Sequence, residues 1–86
     1  MSRVLKISEE EPDRRELDLT CLEAMQRALD LDSDACRESA LHGLGHWKYA
    51  YPQKVQAIID AWLARHQEVT DELKTYALAA RRGRVL

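Results

Sequence analysis

Residues 52–66, PQKVQAIIDAWLARH, decide the fold class. Val55, Ile58, Ile59, Trp62 and Leu63 recur at i, i+3, i+4, i+7 and i+8, which is one stripe of an α-helix. Pro52 suits the first helical position, because its missing N–H would be unpaired there in any case. Downstream, Thr70 is a good N-cap for a helix from about Asp71 to Arg82. Asp71 and Glu72 sit where the helix dipole favours negative charge, and Gly83 is a plausible stop. Leu73, Tyr76, Ala77 and Ala80 share its face.

Upstream, Ser33 caps a helix expected from about Asp34 to Trp47. Its inner stripe reads as Cys36, Ala40, Gly43, Leu44 and Trp47, with Leu41 at the edge. Two glycines inside a helix cost about 1 kcal/mol each relative to alanine, which points to a neighbour approaching closely. The first helix ends near Asp30 and starts between Pro12 and Asp18, with Cys21, Leu22, Met25, Ala28 and Leu29 as its stripe. Thr20 with Glu23, and Ser8 with Glu11, are candidate capping boxes. Residues 1–12 read as an arm whose Val4, Leu5 and Ile7 can pack onto the body formed by residues 13–86. β-branched residues are sparse and nowhere alternate with polar ones, which disfavours sheet. The expected architecture is all-α, with four helices in two antiparallel hairpins.

At 86 residues and 45% apolar composition, the chain has room for one domain and enough apolar surface to build a core. The net charge of −2 argues against a dedicated nucleic-acid binder. No apolar run approaches the ~18 residues of a membrane span. The opening MSRVLK lacks the apolar region of a secretory signal, and two cysteines are too few for a disulfide framework. Cys21 and Cys36 read as buried thiols, and the expected setting is cytoplasmic.

Laid on itself with a shift of 37 residues, the chain repeats. Cys21 to Met25 fall on Ile58 to Trp62, Ser33-Asp34 on Thr70-Asp71, Cys36-Arg37 on Leu73-Lys74, and Ala40-Leu41 on Ala77-Leu78. A fixed period of about 20–50 residues is the signature of stacked supersecondary units. The units here span about residues 15–48 and 52–83.

The second half of each unit carries a known pattern. Asp34, Arg37, Ala40 and the closing Leu44-Gly45 of LDSDACRESALHGLG resemble the HEAT repeat, especially its short bacterial variety. Asp71, Lys74 and Ala77 match in the second unit. There Arg81-Arg82 replaces Leu-Gly, which suits a terminal unit whose outer face meets water. The resemblance implies an α-α superhelix, with first helices on the convex side and second helices on the concave side. It also implies a scaffold that binds other proteins, although some HEAT-like proteins serve lyase or nucleic-acid repair roles.

Ser39, His42 and His46 follow i, i+3, i+7 on the second helix, a polar stripe suited to hydrogen-bonding a partner or to ordinary local bonding. His42 and His46 also have the four-residue spacing of paired zinc ligands. Gly43 stands where an HExxH motif needs glutamate, and only Cys36 or His66 could approach as further ligands. No metal or other cofactor is therefore expected, with a small metal- or ligand-binding helical domain as the alternative. Cys36, near a helix N-terminus and beside Arg37, has features that lower a thiol pKa, but its plain reading is a small hydrophobe. Trp47, Tyr49 and Tyr51 surround the loop between units. Trp47 reads as a wedge, while the two tyrosines are either anchors for a partner or part of that wedge.

Arg81, Arg82 and Arg84 make a basic end, read either as a solvated helix terminus or as a weak nucleic-acid accessory patch that the overall charge disfavours. Residues 1–43 carry 6 basic and 11 acidic groups and residues 44–86 carry 7 and 4, so the two halves are electrostatically complementary. No P-loop, GxSxG or paired-carboxylate pattern appears, and the expectation is a non-enzymatic module. Two repeat units leave open end faces, which predicts a homodimer or another protein partner. The candidate covering residues are Val4, Leu5, Ile7, Val85 and Leu86, and the candidate partner-binding residues are Ser39, His42, His46, Tyr49, Tyr51, Arg81 and Arg82.

Overall fold

A computed structural model describes the backbone of residues 12–85. Four helices follow one another: α1 (Pro12–Leu29), α2 (Asp34–Trp47), α3 (Pro52–Arg65) and α4 (Asp71–Arg81). The chain is all-α, and no strand occurs among the described residues. Residues 1–11 of the arm, with Val4, Leu5 and Ile7, and Leu86 lie outside the described residues, whereas Pro12 belongs to α1 and not to the arm.

The helix starts follow local chemistry. The Ser33 hydroxyl accepts the Cys36 N–H at 3.3 Å, and the Thr70 hydroxyl accepts the Leu73 N–H at 3.2 Å. Each satisfies one of the four N–H groups that a helix start leaves open. Pro52 opens α3 without a side-chain cap. At the end of α4, Gly83 takes φ +76°. Its N–H bonds the Ala80 carbonyl at 2.8 Å and the Arg84 N–H bonds the Ala79 carbonyl at 2.9 Å. That pair is a Schellman motif, which needs a left-handed residue and so favours glycine. Thr20 forms no capping box. It sits inside α1, and its hydroxyl bonds back to the Glu16 carbonyl at 2.9 Å, as a threonine within a helix can.

Each helix contributes one face to a single core. Leu22 and Leu29 of α1, Ala40, Leu41 and Leu44 of α2, Val55, Ile59 and Trp62 of α3, and Leu73, Ala77 and Ala80 of α4 are buried together. α2 packs against both α1 and α4, α3 packs against α4, and α1 touches α3 more lightly. The inner face of α2 is rotated from the sequence reading. Leu41 is fully buried at its centre, with Arg37 and Gly45 also buried, while Cys36 is only half-buried. A helix packed between two neighbours buries a wider arc than an apolar stripe alone marks. Cys21 is exposed, which corrects the reading of two buried thiols, because α1 turns Leu22 and Leu29 inward instead.

The two glycines of α2 make room for different neighbours. A Cβ at Gly43 would meet the Met25 thioether of α1 at 2.6 Å, and one at Gly45 would meet Val85 Cγ2 at 2.5 Å. Val85 thus packs within its own chain against the core rather than being free to cover an open end.

The junction of the hairpins is held at one carbonyl. The Leu29 oxygen, at the end of α1, has no helical partner. It accepts the Trp62 indole N–H at 2.8 Å from α3 and the Arg37 Nε–H at 3.2 Å from α2. Arg37 is 8% exposed and donates a second bond to Asp34 at 3.4 Å. This fixes α2 and α3 to the same point on α1 and satisfies both buried donors.

Candidate functional site

α2 places His42 one turn before His46, and their Nε2 atoms stand 3.1 Å apart. The ring centroids lie 4.6 Å apart and the planes cross at 66°, a T-shaped arrangement. On its other side, His42 Nδ1 lies 3.2 Å from the Tyr76 hydroxyl of α4. Tyr76, His42 and His46 therefore form one hydrogen-bonded row running from the α2–α4 interface out to solvent. A neutral imidazole has one donor and one acceptor nitrogen, so the row has a direction. Either Tyr76 donates to His42 and His42 to His46, or each bond is reversed. His42 is half-buried and His46 exposed.

Ser39 is exposed and leaves this row. It borders a shallow apolar depression of about 420 Å³ between α1 and α2, floored by Ala24, Met25, Ala28 and Cys36. The three-residue stripe expected from spacing is thus two facing histidines and a separate serine. Sequence spacing could not find Tyr76, which lies 34 residues from His42. The only local hint was its place beside Ala77 and Ala80 on the inner face of α4. Among the described residues, no group of three or more His, Cys, Asp or Glu side chains could hold a metal ion. Cys36 and His66 do not join the pair.

The aromatic loop divides. Tyr51 stacks on Trp47 with ring centroids 5.9 Å apart, and its hydroxyl donates to Asp18 of α1 at 3.0 Å. Burial, and then the Asp18 carboxylate, push the Tyr51 phenol above its ordinary range. Tyr49 is 78% exposed, with Lys48 Nζ 5.8 Å from its ring centroid. Arg81 donates two bonds to Asp60 of α3, at 2.7 and 3.1 Å, and this pairing raises its already high pKa. Arg82 and Arg84 are exposed.

A second polar cluster joins the α1–α2 turn to the α3–α4 turn. Asp30 Oδ1 accepts Arg65 Nη2 at 3.0 Å and lies 3.1 Å from His66 Nε2, while His66 Nδ1 lies 3.3 Å from Glu68. The Arg65 guanidinium above all, with His66 behind it, holds the Asp30 carboxyl below its usual range. Glu68 is lowered chiefly by its own backbone N–H and then by His66. A carboxylate whose folded pKa is depressed contributes stability above its unfolded pKa and loses it as pH falls through the folded value. Asp30→Asn should therefore cost stability at neutral pH, with the difference from wild type starting to shrink near the ordinary carboxylate range of about pH 4 and gone only below the depressed folded value. The Asp30 side chain is 48% exposed, so solvent screening keeps the cost under about 1 kcal/mol. Urea melts of both proteins between neutral and acid pH check this.

Comparison of the chain with protein-family models, with curated proteins and with solved structures gives no match. No described helix is long and apolar enough to cross a membrane.

Proposed function

We propose that the chain is a small non-enzymatic protein-interaction module of two stacked HEAT-like hairpins that works as a homodimer or on a protein partner. The observation that carries this is the spacing of the polar bonds between the hairpins. Asp18–Tyr51, Leu29–Trp62, His42–Tyr76 and Asp30–His66 are separated by 33, 33, 34 and 36 residues. Bonds between equivalent parts of successive repeat units fall close to the repeat period, and the sequence repeats at a shift of 37. The packing of α2 on α4, with α1 lightly on α3, is the helix pairing that stacked hairpins need.

Two units leave two end faces, and large apolar side chains stand exposed on both the first and the last helix. Leu17 of α1 is 61% exposed and Leu78 of α4 is 46% exposed. Tyr49 and Arg82, both exposed, are the best placed of the expected partner contacts, since Tyr51 and Arg81 already bond within the chain. Free thiols at Cys21 and Cys36 fit a cytoplasmic setting. The double variant Leu17→Asp, Leu78→Asp tests the reading. It should sediment as a monomer where the wild-type chain self-associates, with little loss of helical signal, because neither side chain belongs to the core. Unchanged self-association in this variant would move the interface elsewhere, and a wild-type chain that binds neither itself nor any protein would remove the reading.

A further inference from the structure

We infer that His42 and His46 form a two-imidazole clamp for a single divalent transition-metal ion of the zinc class. The inference is independent of the interaction reading above. Two imidazole nitrogens bound to one such ion at about 2.0–2.1 Å stand roughly 2.9–3.4 Å apart, for ligand angles between about 90° and 110°. The two Nε2 atoms are 3.1 Å apart. In the metal-free chain a proton must occupy the gap, since two facing lone pairs repel. A cation bound by both nitrogens displaces that proton and sits to one side of the line between them, since 3.1 Å is too short to hold a metal midway.

The surroundings of His42 fit the same role. A histidine that ligates through Nε2 usually donates its Nδ1–H to a neighbouring acceptor, which fixes the tautomer and the ring orientation. The Tyr76 hydroxyl stands 3.2 Å from His42 Nδ1 and can accept that bond, leaving the Nε2 lone pair directed at the clamp. Tyr76 is thus a positioning residue. Packing on the inner face of α4, beside buried Ala77 and Ala80, holds it there. The helix contributes the rest, because residues four apart share a face and need no loop to bring them together.

Donor type restricts the ion. Two neutral imidazoles suit zinc, copper(II) and nickel(II), and are poor ligands for magnesium or calcium, which prefer oxygen. With no third His, Cys, Asp or Glu beside them among the described residues, the two imidazoles leave the remaining coordination positions open to water or a further donor. That distinguishes the clamp from a closed structural site, which takes about four protein ligands.

The test is calorimetric titration of the whole chain with zinc chloride, with His42→Gln, His46→Gln, Tyr76→Phe and His66→Gln alongside. The expected result is one saturable site, at one ion per chain or per two chains. Each of His42→Gln and His46→Gln should weaken it at least about tenfold, and Tyr76→Phe by up to about tenfold. His66→Gln, in the separate Asp30 cluster, should leave it unchanged. Both ligand histidines are at least partly exposed, so the variants should keep the wild-type melting curve. Zinc should also shift the imidazole NMR signals of His42 and His46 in the unaltered chain, a readout that does not depend on any variant folding. Absence of saturable binding, wild-type affinity in both ligand variants, or imidazole shifts confined to His66 would each overturn the clamp.

Discussion

Trp62→Ala should cost the chain a large part of its stability. Trp62 is the largest fully buried side chain, and its indole N–H is one of two donors on the Leu29 carbonyl. Emptying a site of this kind costs about 3–5 kcal/mol. A chain of 86 residues has a total stability of roughly 4–13 kcal/mol at about 0.05–0.15 kcal/mol per residue. The loss is therefore a large fraction of the whole. Trp62→Phe separates the two contributions, because it keeps most of the ring volume and deletes the donor. Arg37 Nε still reaches the Leu29 oxygen at 3.2 Å, so no acceptor is left unpaired, and the loss should be about 1–2 kcal/mol. Far-UV circular dichroism and urea titration of the three proteins check this. A Trp62→Ala melting point within a few degrees of wild type would mean that the hairpins do not share this core.

The second large effect falls on α2. Leu41→Ala should cost about 2–5 kcal/mol, because Leu41 is fully buried on α2, the helix that packs against both α1 and α4. Cys36→Ala, at a half-buried position beside an open depression, should cost less than about 1 kcal/mol, and Cys21→Ala, at an exposed one, almost nothing. The order of Leu41→Ala and Cys36→Ala in a denaturant series tests the rotation of the α2 face directly. If Cys36→Ala proved the most damaging, α2 would present the apolar stripe read from sequence rather than the face centred on Leu41.

These two cases also show where sequence reading works and where it stops. The helix boundaries were legible because their causes are local. Ser33 and Thr70 bond N–H groups three residues on, Pro52 needs no N–H, and Gly83 takes the left-handed conformation that closes α4. The α3 stripe was legible because Val55, Ile59 and Trp62 have no polar residue among them to confuse the period. The α2 face was misread because Arg37 belongs to it. An arginine looks like a solvent residue until its acceptor is known, and that acceptor is a carbonyl at the end of another helix. Cys21 was misread in the opposite sense, since a thiol beside Leu22 looks apolar in a pattern and yet faces water. The histidine row was half legible. The i, i+4 spacing brings His42 and His46 together without help from the fold, whereas Tyr76 arrives only when α4 packs on α2.

The central claim is that two stacked hairpins form an unfinished array whose open faces are covered by another molecule. Light scattering behind a sizing column, run over a concentration series of the intact chain, tests it most directly. The account predicts a species of twice the 9.9 kDa chain mass that dissociates on dilution or in the Leu17→Asp, Leu78→Asp variant. A chain that stays at 9.9 kDa at every concentration, and melts cooperatively at high temperature, would contradict it by showing that the four helices close their own core.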